Sequence, residues 1–377
     1  MSALAAHRDW LEGRVDALRH ASAAAGVAWP EEAGFEDRLC ASLLVSDYAF
    51  EQWRRRPTLL TELCVANNEG GAAQAADVAG IVAGAPGDLG MRLRRYRHTH
   101  SIRLIARDAS GKATVETTLA ETSRLAEVCL DAALTGVEAA SQPRREALQS
   151  RNGQPLRLAI IGMGKLGGDE LNFSSDIDLI FAYDDPAAHA DDAESALART
   201  GQRVINLLSA NEADGFVHRV DMRLRPFGSV GRLALPQSAM EQYYQREGRD
   251  WERYAWVKAR AVAGDRATGA RVIAALRPFV FRRYLDYAAI DSLREMKGLI
   301  DAEVARADRR DDLKLGPGGI REIEFLVQLT QLTRGGRETA LAVPGLLPAL
   351  SAARVLGAIP HGVADMLAES YRLLRRV

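Results

Sequence analysis

Cysteine is scarce: Cys40, Cys64 and Cys129 are the only three, and they lie far apart. No Cys-x-x-Cys pair or Cys/His ligand spacing occurs, so neither a disulfide framework nor structural zinc is expected. The cysteines read as buried or inert, and a reducing cytoplasm is the expected compartment. Long apolar runs are missing too, since none approaches the roughly 20 residues of a membrane span. The stretch Met1–Leu18 carries Asp9, Glu12 and Asp16, which excludes a signal peptide. Neither charge is in excess: Lys plus Arg is 49 and Asp plus Glu is 50, a net charge of −1. No global field favours nucleic acid or a membrane. Neither is expected as a partner, and any phosphate site must be local.

What is present is ordinary for a folded protein, with 47% hydrophobic and 26% charged residues. At 377 residues, two or three domains are expected. Residues 1–150 read as helix almost throughout. Val115, Leu119, Ala126, Cys129, Leu130 and Ala133 recur at helical spacing. Gly70-Gly71 and Ala85-Pro86-Gly87-Asp88 read as breaks. The texture changes at the turn cluster Arg151–Pro155. Leu156–Ile161 and Asp176–Tyr183 then read as strands, Asp191–Ser209 as a helix, and about Val217–Leu224 as a third strand. Residues 151–235 thus form a small α/β core. Helical pattern returns over 236–377, in Pro236–Glu247, Asp250–Ala261, Asp291–Ala305, Ile320–Leu332 and Val363–Val377. No Gly, Asn or Pro stops the last of these, so the chain is expected to be part of a longer one. The expected fold is α+β and predominantly helical: a small core with a mixed sheet, flanked by N-terminal and C-terminal helical regions.

The informative stretch begins at Gly162-Met163-Gly164-Lys165-Leu166-Gly167-Gly168. It satisfies the GxGxxG dinucleotide fingerprint, and Asp184 even lies about 20 residues on. The gap excludes that reading. Only residues 169–175 separate the glycines from the next strand, whereas a parallel crossover needs about a dozen residues or more. Walker A fails as well, because Leu166 stands where Ser or Thr is required and Ala159 where the first Gly is. A glycine loop before an Asp-x-Asp strand remains. Residues two apart in a strand share a face, so Asp176 and Asp178 present adjacent carboxylates while Ile177, Leu179 and Phe181 face a core. Adjacent carboxylates repel unless a cation sits between them, and Mg²⁺ is the hard, oxygen-seeking candidate. On the third strand Arg219, Asp221 and Arg223 share one face, with His218 pointing away. Asp221 can hold a second metal, and Arg219 or Arg223 can meet phosphate oxygens.

These residues resemble the DNA-polymerase-β-like nucleotidyltransferase superfamily, which sets a Gly-Ser loop before an Asp-x-Asp strand and a third acidic residue on a later strand. Gly164-Lys165 takes the Gly-Ser position, twelve residues before Asp176, with Lys in place of Ser. The run Gly164–Phe181, reading G-K-L-G-G-D-E-L-N-F-S-S-D-I-D-L-I-F, narrows the likeness. So do Val220–Pro226, Trp251–Ala255 and Lys314–Phe325. All resemble the bifunctional glutamine synthetase adenylyltransferase/adenylyl-removing enzymes, in the wording of their N-terminal, adenylyl-removing half.

The resemblance implies Mg²⁺-dependent phosphorolysis of adenylyl-tyrosine on glutamine synthetase, releasing ADP. Asp176, Asp178 and Asp221 would be the metal-holding catalytic residues. Gly164, Lys165, Gly167, Gly168 and Ser175 would meet phosphates, and Arg223 and Arg225 would take the attacking phosphate. Implied partners are adenylylated glutamine synthetase, phosphate, an adenine nucleotide and, through the full-length enzyme, the nitrogen-signalling PII protein. Alternatives are the forward ATP-dependent adenylyltransferase, the PII uridylyltransferase, and a non-catalytic module that binds glutamine synthetase.

Other residues carry plainer expectations. Arg92, Arg94, Arg95, Arg97, Arg103 and Arg107 read as a solvated helix face or a docking patch for an acidic partner, and His98 and His100 as surface residues. Lys258 and Arg260 read as surface ion pairs or as phosphate contacts. Lys314, Arg321, Glu322 and Glu324 read as an ion-pair network at a Gly-rich turn, or as a lid or nucleotide contact.

Overall fold

The computed structural model describes residues 2–65, 74–141, 148–188, 190–283 and 312–376, with 295 and 298. The expected break at Gly70-Gly71 lies outside the described residues, as does nearly all of the expected helix Asp291–Ala305. The chain divides into two units, residues 1–132 with 210–217, and residues 133–209 with 218–377.

The first unit is helical among its described residues: α1 (Ser2–Ala24), α2 (Phe35–Val45), α3 (Asp47–Arg55), α4 (Glu62–Val65), α5 (Gln74–Val82), α6 (Leu89–Ala109) and the first part of α7 (Val115–Ala139). Ser46 stops α2 and starts α3, its hydroxyl accepting from Ala49 N at 3.1 Å. The core gathers Leu18, Phe35, Leu39, Trp53, Leu93 and Ile102. All six of the periodic residues chosen from sequence on α7 are buried.

The arginine-rich face of α6 is not solvated in the way the sequence implied. Arg94 and Arg97 are buried, and Arg94 pairs with Glu212. The Arg97 guanidinium lies 5.7 Å from the ring centre of Tyr48 and 5.5 Å from that of Phe216. Arg103 pairs with Glu62 at 2.5 Å, and Arg107 pairs with Glu121. Arg95 alone of the six is exposed. Buried guanidinium groups require such partners.

His98 is a second correction. It is buried between the Tyr48 hydroxyl at 2.5 Å from Nδ1 and the Asp214 carbonyl at 2.8 Å from Nε2. A carbonyl only accepts, so Nε2 carries the proton and Nδ1 accepts from the phenol.

The second unit is built on one mixed sheet. Its strands are β1 (Ala159–Gly162), β2 (Ile177–Tyr183), β3 (Val220–Asp221), β4 (Ala234–Pro236) and β5 (Arg260–Gly264). The order is β3-β2-β1-β5, with β4 also pairing β2. β1 is antiparallel to both β2 and β5, while β3 and β4 run parallel to β2 at successive positions along it. The antiparallel β1–β2 pair explains why a short glycine connection suffices, and it excludes the Rossmann topology on geometry. β5 was not foreseen. The helix expected over Asp250–Ala261 stops at Trp256, and Arg260–Gly264 pairs with β1 instead. The Ala-rich composition favours helix, but the buried ladder outweighs that local preference.

Helices complete the unit. After the helical turn α8 (Gly164–Gly167) come α9 (Ala190–Ser209), α10 (Gln237–Arg246), α11 (Asp250–Trp256) and α12 (Arg266–Val280). Met240, Tyr244, Trp256, Val272 and Leu276 pack with Ile161 and Ile180 of the sheet. Farther along lie α13 (Ile320–Arg334), α14 (Leu346–Val355) and α15 (His361–Arg376), joined through Ile323, Val327, Leu350 and Tyr371. The fold is α+β and predominantly helical, as expected from sequence. No helix among the described residues is long and apolar enough to cross a membrane.

His98 gives a stability prediction. Burial pushes its pKa down from 6.5 to about 4, with repulsion from Arg56 and Arg97 adding to it. Above pH 6.5 both the folded and unfolded chains hold it neutral, and its contribution is complete. As pH falls below 6.5 the unfolded chain takes up a proton that the folded chain refuses, so stability is lost down to about pH 4. That loss is about 3 kcal/mol. Urea unfolding between pH 4 and 6.5 should show a shallower loss in His98→Gln than in the parent. Equal slopes would contradict the assignment.

Candidate active site

The site starts where β1 ends. From Gly162 the chain passes through Met163 into α8, and Met163 N donates to Asp178 O at 2.9 Å. Gly164 has φ +53, and a Cβ there would lie 2.8 Å from Asp178 Oδ2. A side chain there is strained by the backbone conformation and would push the Asp178 carboxylate aside. Gly167 is required for a different reason, since its Cβ would lie 1.9 Å from the Lys258 carbonyl oxygen. The Gly167 and Gly168 amides bond Met163 O at 3.0 Å and Gly164 O at 3.1 Å. These two glycines thus answer close packing inside the turn. Arg260 braces the same turn, donating to Leu166 O at 2.9 Å and Gly167 O at 3.1 Å.

The carboxylates come next. Asp178 is the one position of β2 that is not fully buried. The parallel register sets Asp178 directly beside Asp221 of β3. Burial pushes the Asp178 carboxyl up to about 6, with repulsion from Asp221 and then Asp176 adding to the effect. Asp221 is held below its ordinary range by hydrogen bonds from Arg223, despite partial burial. Arg223 grips it with Nη2 at 2.5 Å and Nε at 2.8 Å from Oδ2. Asp176 precedes β2, is exposed, and pairs with Arg219 Nε at 2.5 Å.

β3 is far shorter than the expected Val217–Leu224 strand. Asp221 Oδ1 accepts from Arg223 N at 2.8 Å, a local bond that turns the chain out of the ladder. Arg223 therefore reaches Asp221 through that turn and not across a strand face. Arg225 is committed to carbonyls on either side of it, Met222 O and Ser229 O at 2.8 Å and Gly231 O at 3.2 Å. Ser175 lies in the bend before Asp176, its N donating to Asn172 O at 3.2 Å. His218 is buried. The structure thus brings Gly164, Asp176, Asp178, Asp221, Arg219 and Arg223 together, and leaves Arg225 bracing the loop.

Lys165, on α8, is half-buried. Burial, then the nearby Arg375 and Lys314 cations, push its pKa down to about 8. Lys258 was expected on a helix surface but is 5% exposed. Its ammonium lies 2.9 Å from both Glu170 Oε2 and Glu324 Oε1. Sequence gave little signal for this cluster beyond a lysine set in the apolar run Tyr254–Val257.

The donor set suits a hard divalent cation. Asp178 and Asp221 are neighbours by register, and Asp178 is raised first by burial and then by the negative charge of Asp221 and Asp176, which a cation would relieve. Among the described residues, no three acidic, His or Cys side chains already stand in cage geometry. Asp176 and Asp221 are instead turned onto Arg219 and Arg223, which an incoming ion would displace.

Comparison with known proteins gives two family matches. Residues 37–275 match the family of glutamate-ammonia ligase adenylyltransferases, and residues 294–377 match that of the PII-uridylyltransferase GlnD. A bifunctional glutamine synthetase adenylyltransferase/adenylyl-removing enzyme of Xanthomonas campestris pv. campestris (strain B100) is 50% identical over 97% of this chain and 39% of its own. Proteins of the same name from Thioalkalivibrio sulfidiphilus and Pseudomonas aeruginosa are 44% and 42% identical, over 96% and 97% of this chain and 38% of theirs. The chain spans about two-fifths of the length of these curated relatives. All the carboxylates and glycines of the site lie inside the first match. The chain belongs to the glutamate-ammonia ligase adenylyltransferase family.

Proposed function

We propose that this chain removes AMP from an adenylyl-tyrosine of glutamine synthetase by Mg²⁺-dependent phosphorolysis. The observation that carries this is the Asp178–Asp221 pair set against Gly164, with Asp176 beside it. The wording E-L-N-F-S-S-D-I-D over Glu170–Asp178 supports the removing direction over the forward one. An oxygen of inorganic phosphate attacks the α-phosphorus. The bond from phosphorus to the tyrosine oxygen breaks, its electron pair stays on that oxygen, and the phenol takes up a proton. ADP and the unmodified tyrosine side chain of glutamine synthetase result. A match to the PII-uridylyltransferase over 294–377 supports a PII signal reaching this region in the full-length enzyme.

Asp176, Asp178 and Asp221 would hold Mg²⁺, which supplies charge neutralisation at the transferring phosphoryl group and at the departing phenolate. The phenol, with a pKa of about 10, is a poor leaving group without such help. Arg223, whose side chain is 82% exposed, would exchange Asp221 for phosphate oxygens. Lys165 adds one positive charge at the glycine turn. Gly164 keeps that turn against Asp178, so the phosphates and the carboxylates share one small space.

Incubation with adenylylated glutamine synthetase, Mg²⁺ and labelled phosphate should yield labelled ADP, and Asp178→Asn should lower the rate by about a hundredfold or more. Near-parental turnover in Asp178→Asn would sink the carboxylate assignment. Activity confined to a uridylylated substrate would favour the uridylyltransferase reading. Lys165 gives a pH test. Its ammonium is charged below its pKa of about 8 and neutral above it. The KM for phosphate should therefore rise through about pH 8 in the parent and stay flat there in Lys165→Arg. A parental KM that is flat through that pH would remove Lys165 from the phosphate site.

A further inference from the structure

The buried cluster around Lys258 is not explained by the carboxylate site. Burial works against the ammonium, yet Glu324 and Glu170 outweigh it and hold Lys258 above its usual range. Glu324 is held low by the same Lys258, again against burial. Such clusters add little to stability over well-packed apolar residues, and their best-attested use is to fix one arrangement. Here the arrangement they fix is that of the glycine turn.

Each member is tied to that turn. The Lys258 carbonyl oxygen sits where only Gly167 leaves room for it. Glu170 lies two residues past Gly168, and its N donates to Lys165 O at 2.8 Å. Glu170 Oε1 accepts from Leu346 N at the start of α14, and its carbonyl accepts from Arg375 near the end of α15. Glu324 belongs to α13. Two helices that contribute no carboxylate to the site, α14 and α15, therefore bond Glu170 at the exit of the turn, and a third, α13, reaches it through Lys258.

We propose that Glu170, Lys258 and Glu324 are positioning residues that lock the turn Gly164–Gly168 to helices α13–α15. Any shift of those helices would then alter the turn. The consequence for phosphate binding rests on the function proposed above; the positioning itself does not.

The test uses the whole 377-residue chain as Lys258→Met, Lys258→Arg and Glu324→Gln. Hydrogen exchange is read over residues 164–170 and 177–183, and ADP affinity is read by calorimetry with Mg²⁺. Lys258→Met should speed exchange in 164–170 about tenfold, leave 177–183 unchanged, and weaken ADP about tenfold, as expected when a buried ion loses its partner. Lys258→Arg should recover both. If Lys258→Met fails to fold, Glu324→Gln carries the same comparison. A lower Tm with unchanged exchange in 164–170 would overturn the proposal and leave the cluster a stability element. If the parent binds no ADP, the phosphate reading falls, and the exchange data alone decide the positioning.

Discussion

The site depends on one carboxylate, Asp178, held where its charge is unfavourable. β2 is otherwise fully buried, which fixes its register, and that register sets Asp178 beside Asp221. The glycine turn then closes on it, leaving 2.8 Å between Asp178 Oδ2 and the place of a Gly164 Cβ. Burial and two neighbouring carboxylates raise its pKa, so folding stores a local demand for positive charge. Arg219 and Arg223 meet that demand in part, each by gripping one of the flanking carboxylates. On the function proposed above, a cation bringing phosphate would meet it better and would free the two guanidinium groups for the phosphate oxygens. The same repulsion that makes the site costly to fold thus makes it receptive.

The supports of the turn lie far away in sequence. Arg260 of β5 braces it, the Lys258 carbonyl just before β5 packs on Gly167, α14 and α15 reach it through Glu170, and α13 does so through Lys258. Local unfolding of those helices would remove Glu324, one of the two carboxylates that hold the buried Lys258, so their opening is expected to loosen the turn. On the positioning proposed above, that coupling would give the helical segment a part in the site without contributing a carboxylate to it.

Much of this was legible before the structure. The short span between the glycines and Asp176 excluded the dinucleotide fold, and the antiparallel β1–β2 pair shows why. Apolar alternation around Asp178 placed it on a strand. Helical periodicity found the buried stripe of α7. What failed did so for identifiable reasons. β5 was read as helix because its alanines favour helix and its partner β1 lies about a hundred residues earlier. Lys258 was read as a surface residue because its carboxylates are 88 and 66 positions away. His98 and Arg94 were read as solvated because their partners, Asp214 and Glu212, lie in a loop over 100 residues later. β3 was drawn too long because the local bond from Asp221 to Arg223 N carries no hydrophobic signature.

The central claim is that the Asp178–Asp221 pair makes nucleotide binding depend on a divalent cation. Calorimetry of ADP binding with and without Mg²⁺, in the parent chain and in Asp178→Asn, tests it most directly. The account predicts tight binding only with Mg²⁺ in the parent, and no gain from Mg²⁺ in Asp178→Asn. Equal ADP affinity in the parent with and without Mg²⁺ would contradict it.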